Sequence, residues 1–247
     1  LGLVAASVLA ILAMLAVEVG GQAKPGAPDI TGRWGAYRGG RGTPDPQLAP
    51  PPPGPLVLKP QYASPYEARR AAEAESDRRG EPLAGPGTEC LPSGMPQMMG
   101  AIYPLEILQT PGQITIIAEA YSEVRRIYLD EPQGRVGEVE PGYYGHSVAR
   151  WEGNTLIVDT IGIKESVRGY RSMPHSDQMR ITERISLVAP DVLHDQITID
   201  DPVVLEKPVI YTQAYRRMPN YKMQEYVCEN NREYVDDKGV TRLKLGR

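Results

Sequence analysis

The chain of 247 residues has no phenylalanine and only two tryptophans, so tyrosine, with 14 residues, must supply almost all of its aromatic surface. Cysteine is equally scarce. Cys90 and Cys228 stand far apart with no CxxC spacing, which argues against a cysteine-based zinc site. The three histidines, His146, His175 and His194, show no His-x-His or His-x-x-x-His spacing, so no local metal motif exists. No Gly-x-Ser-x-Gly elbow is present, and a serine beside its own base on a strand points to the opposite face. The formal net charge is only −4, and acidic and basic residues are interspersed. Nucleic acid needs a concentrated basic face and is therefore excluded as a main partner.

After residue 17 no long apolar run occurs. Leu1 to Val17 is the exception, and it reads either as the core of a secretory signal cut after Gly21-Gln22-Ala23 or as a membrane helix. We expect a retained transmembrane helix over residues 1–20, which places the bulk of the chain in the periplasm and the bilayer among its partners. Export would let Cys90 and Cys228 pair as a disulfide.

Residues 21–88 are rich in Gly, Pro, Ala and charge. Pro50 to Pro53, Gly54 and Pro55 cannot form a helix or central strand, because proline lacks the amide donor. An extended arm is expected, able to lie as a strap over partner surfaces through Leu56, Val57, Leu58, Tyr62 and Tyr66. After Pro65 the glycine-free stretch from Tyr66 to Arg79 predicts a short helix.

From residue 89 to the end we expect a β domain. Pro111-Gly112 and Glu152-Gly153-Asn154 each separate two strand-like runs, which predicts two hairpins. Further strands are expected over 121–129, 178–188, 192–199, 209–216 and 224–228. Eight or more short antiparallel strands with little helix read as a barrel or sandwich. Met179 and Ile181 alternate with Arg180 and Thr182, as one buried face requires.

Several clusters could carry function. The loop around Met95, Met98 and Met99 is flexible and rich in thioether, and together with Tyr143 and Tyr144 it reads as contact surface. No histidine or cysteine spacing supports copper there. Asp200-Asp201-Pro202 and Asp236-Asp237 lack the alternating ligands of a calcium loop and read as turns. Cofactor and metal are not expected.

The words GHSVARWEGNTLIVDT (145–160) and PHSDQMRITER (174–184), with CLPSGMP (90–96) and QTPG (109–112), resemble those of a family of exported, uncharacterised bacterial proteins. The resemblance covers about Cys90 to Cys228 and implies an exported β-rich domain with no agreed activity. Where this chain has Asn154 the family pattern has Asp, and phenylalanine is expected near Ile163 and Ile185. In architecture the chain also resembles the extra periplasmic subunits of bacterial photosynthetic reaction-centre and light-harvesting complexes.

The leading expectation is a non-catalytic, membrane-anchored periplasmic subunit that straps integral membrane subunits of a larger complex. The alternatives are a lipocalin-like carrier of an apolar small molecule, or an exported hydrolase or isomerase. Either alternative would draw its pocket from His146, Trp151, His175, Asp177 and Arg180.

Overall fold

The computed structural model describes residues 26–37, 45–80, 90–100, 103–226, 233–238 and 241–243. Nine strands close into a barrel in chain order: β1 (Gly32–Ala36), β2 (Leu105–Thr110), β3 (Gln113–Ala118), β4 (Glu123–Leu129), β5 (His146–Glu152), β6 (Thr155–Ile161), β7 (Arg180–Ala189), β8 (Val192–Asp200) and β9 (Val209–Arg217). One long helix, α1 (Pro60–Arg79), lies between β1 and β2. A separate two-stranded sheet joins β10 (Glu233–Val235) to β11 (Thr241–Leu243).

A ring of nine strands cannot reverse direction at every junction, because an odd number of reversals does not return to the start. One parallel pair is required. It falls between β4 and β5, where Ile127 pairs with Ser147 and Leu129 with Ala149. Residues 130–145 supply the long crossover that a parallel pair needs. The expected all-antiparallel sheet is thereby corrected to a mixed barrel, and the choice between barrel and sandwich goes to the barrel.

The closing strand also differs from expectation. Gln224–Tyr226 is not in a strand, and the remainder of that expected strand lies outside the described residues. Closure comes instead from β1, which lies in the stretch expected to be an arm and pairs with both β2 and β9. Trp34 at its centre is fully buried, and its indole N–H donates to Ile30 O at 3.0 Å. Full burial of one such ring stabilises by about 3 kcal/mol, enough to hold a strand of five residues that contains two glycines.

Inward positions follow the period of two. Ile114 and Ile116 on β3, Leu156 and Val158 on β6, and Ile197 and Ile199 on β8 are all buried in one cluster. Tight turns at Pro111-Gly112, Gly153-Asn154 and Pro190-Asp191 close one end of the barrel, while the long connections gather at the other. Met95, Met98 and Met99 plug that second end. The Tyr215 hydroxyl donates to Met99 O at 2.6 Å, tying the plug to β9.

The proline-rich segment lies on the chain's own barrel. Gly54 N–H donates to Ile210 O at 2.7 Å, Glu206 N–H to Val57 O at 3.0 Å, and Lys59 N–H to Val204 O at 2.9 Å. Leu56, Leu58 and Tyr66 pack against the core, and Val57 faces out. The helix begins six residues before its expected start. Pro60 occupies the first turn, where its missing N–H costs nothing, and Pro65 is accommodated inside the helix. Tyr66 anchors the helix through its hydroxyl to Arg171 O at 3.0 Å, and Glu73 accepts from Arg168 at 3.1 Å.

Among the described residues no helix is long and apolar enough to cross a membrane. The transmembrane helix expected over 1–20 lies outside the described residues. Cys90 is not a free thiol, and Cys228 also lies outside them, so the bridge between the two is carried below as a proposal.

Candidate functional site

Charged residues in the inward phase of the strands place a polar network inside the barrel. Arg125 of β4 reaches Glu183 of β7, with Nη1 donating to Oε1 at 2.8 Å and Nη2 to Oε2, and neither side chain is exposed to solvent. Arg125 Nη2 also donates to Ser147 Oγ at 3.1 Å and Thr160 Oγ1 at 3.0 Å. Burial opposes the charge on Arg125, but the adjoining Glu183 carboxylate outweighs it and the guanidinium pKa is raised. Asp195 on β8 is fully buried beside Glu183 and Arg125. Burial first, then the charge of Glu183, pushes its pKa well above the carboxylate range, against the pull of Arg125. The interior therefore holds an ion pair and, beside it, a carboxyl whose pKa is raised.

This network is a structural feature, because packed side chains surround it. The lumen that a lipocalin-like carrier would use is occupied by Ile, Leu, Val, Trp34 and Tyr215.

Among the described residues an accessible cleft of about 370 Å³ opens at the loop end. Ser93, Gln97 and Met98 form one side, Ala118, Ala120, Tyr121 and Glu123 another, and Tyr103 and Tyr226 complete it. Two buried carboxylates organise it. Glu123 accepts from Ser93 N–H at 2.7 Å and Gly94 N–H at 3.3 Å, which fixes the methionine loop over the barrel mouth. Glu119 accepts from the Tyr221 hydroxyl at 2.7 Å and from Gln224 N–H at 2.7 Å, drawing the segment after β9 back across the β3–β4 connection. That hydrogen bond, followed by burial, raises the Tyr221 pKa. Tyr226 is thereby set against Tyr103 and Tyr121, each at 5.2 Å between ring centroids and tilted by 58° and 63°.

The residues singled out from sequence scatter. Met95, Met98 and Met99 are core, not contact surface, because the loop that carries them folds inward over the barrel mouth. Tyr143 and Tyr144 are half-buried against that core. Burial, then the Glu123 carboxylate, raises the Tyr144 pKa. Tyr62 is half-buried in the first turn of α1. His146 meets Gln133 Oε1 at 3.0 Å and stacks on Tyr128. Gln133 also donates to Asp159 O at 2.8 Å, and the Asp159 carboxylate pairs with Arg180. His146 and Arg180 thus share a strip of the outer wall.

His175 stands apart, with one ring nitrogen 2.7 Å from Val167 O and the other 2.9 Å from Ser176 O, so its ring lies among backbone carbonyls. Asp177 is exposed and accepts from Gln178 at 3.0 Å. Trp151 packs half-buried against the core. The five residues of the alternative pocket do not converge, and among the described residues no cluster of His, Cys, Asp and Glu could hold a metal.

Arg125, Glu183, Asp195, Glu119 and the tyrosine cleft were not anticipated. A signal for the network does exist in the sequence. Arg125 falls in phase with Ile127, and Glu183 lies between Ile181 and Ile185 at the same period, so each charge sits where an apolar residue is due.

Fold and site together define a closed, mixed nine-stranded β-barrel with a filled interior and a tyrosine-lined cleft at its loop end. No protein-family model matches the chain, and no curated protein matches it.

Proposed function

We propose that the chain is a non-catalytic accessory subunit of a membrane complex, anchored by its N-terminal apolar segment, with the barrel in the periplasm against integral membrane subunits. A photosynthetic reaction-centre and light-harvesting complex is the specific candidate. The observation that carries the reading is the proline-rich segment pinned to β9 and to the β8–β9 connection. There Pro51, Pro52, Pro53, Pro55 and Val57 face outward, beside Val203 and Ile210, of which Ile210 is 46% exposed. Prolines hold this ridge extended before any partner arrives, so little conformational entropy is lost on docking. The histidines, by contrast, are committed to backbone and side-chain partners within the fold.

The same reading includes a Cys90–Cys228 bridge, which would tie the methionine loop to the segment after β9. Deleting the gene and purifying the complex tests the role. A complex that loses subunits or dissociates at lower detergent concentration is the expected result. Unchanged composition and stability would contradict it.

A further inference from the structure

The cleft at the loop end is not used by the accessory role, and its chemistry is one-sided. Its volume of about 370 Å³ falls in the range of small-molecule sites. Tyr103, Tyr121, Tyr226 and Met98 are among its lining residues, and among the described residues no Lys, Arg or His contributes to it. One carboxylate, Glu123, reaches the cleft, and a second, Glu119, flanks the same β3–β4 connection.

Among the described residues, the donors to both carboxylates are neutral. They are the backbone N–H groups of Ser93, Gly94 and Gln224 and the hydroxyl of Tyr221. Among the described residues no cation pairs with either carboxylate. An anion would be repelled from such a site, and a neutral apolar ligand would cover the carboxylate without gain. A cation with an apolar body is served by both features, because aromatic rings attract it through their quadrupoles.

We infer that the cleft binds a small organic cation, an alkylated ammonium group seated against the tyrosine rings with Glu123 as its counter-charge. The inference does not depend on the accessory role, since it concerns a different face of the chain from the proline ridge.

Titration calorimetry on the full chain tests it, with choline against its uncharged isostere in which carbon replaces nitrogen. Choline is expected to bind at least about tenfold more tightly than the isostere. Tyr103→Ala removes an exposed ring that the barrel core does not need, and should weaken choline about fivefold. Glu123→Gln keeps the side-chain shape and should narrow the difference between the two probes, leaving the part that the rings supply. Retention on phosphatidylcholine but not phosphatidylglycerol vesicles would assign the cation to a lipid head group, and no retention would assign it to a free solute. Equal affinities in the unmodified chain, no choline binding up to about 10 mM, or an unchanged Tyr103→Ala variant would overturn the inference.

Discussion

Arg125 and Glu183 meet across the barrel from strands that are not neighbours, β4 and β7, and both side chains are wholly removed from solvent. Their contact therefore reports on closure of the whole ring and not on a single hairpin. Removing one partner leaves the other buried without compensation. Glu183→Gln should cost about 3–5 kcal/mol, whereas Arg125→Met combined with Glu183→Leu should cost much less. Urea denaturation of the three proteins checks this.

Asp195 gives the barrel a pH dependence of definite sign. Its folded pKa is raised, so the folded state binds more protons than the unfolded chain above the ordinary aspartate value of about 3.9. Its contribution to stability is whole below that value and declines as pH rises towards the folded pKa, by up to about 1.4 kcal/mol per unit. Asp195→Asn abolishes this titration. The stability difference, variant minus parent, should grow with pH from about 4 upward, and a difference independent of pH would contradict the raised pKa of Asp195.

Two glycines with similar backbone angles should respond differently to the same substitution. Gly112 and Gly145 have φ of 71° and 64°, in the region that disfavours any side chain. A Cβ at Gly112 meets open space, but at Gly145 it would lie 2.4 Å from Ile161 O. Gly112→Ala should therefore cost about 1 kcal/mol, and Gly145→Ala roughly 3 kcal/mol or more. Thermal unfolding measures both.

The ridge makes a prediction separable from stability. Val57→Asp with Ile210→Asp changes two exposed side chains, so the melting temperature should move by no more than a few degrees, about what 0.5 kcal/mol produces. Recovery of the variant with membrane subunits should fall steeply.

The sequence disclosed those parts of the fold that are local. Pro111-Gly112 and Glu152-Gly153-Asn154 mark their hairpins because a turn needs particular backbone angles at particular residues. β1 was hidden because two of its five residues are glycines and only Trp34 reports an inward face. The parallel β4–β5 junction has no local marker, since it is imposed by ring parity. Met95, Met98 and Met99 read as surface because composition does not say whether a loop folds inward. The cleft is assembled from three separated segments, each with an ordinary sequence, and the hydrogen bonds of Glu119 and Glu123 bring them together.

The accessory role is tested most directly by solubilising native membranes in mild detergent, sizing the complexes, and identifying by mass spectrometry what migrates with this chain while its N-terminus is read. The account predicts co-migration with integral membrane subunits and an N-terminus that retains the apolar segment. A free, trimmed chain migrating alone would contradict it.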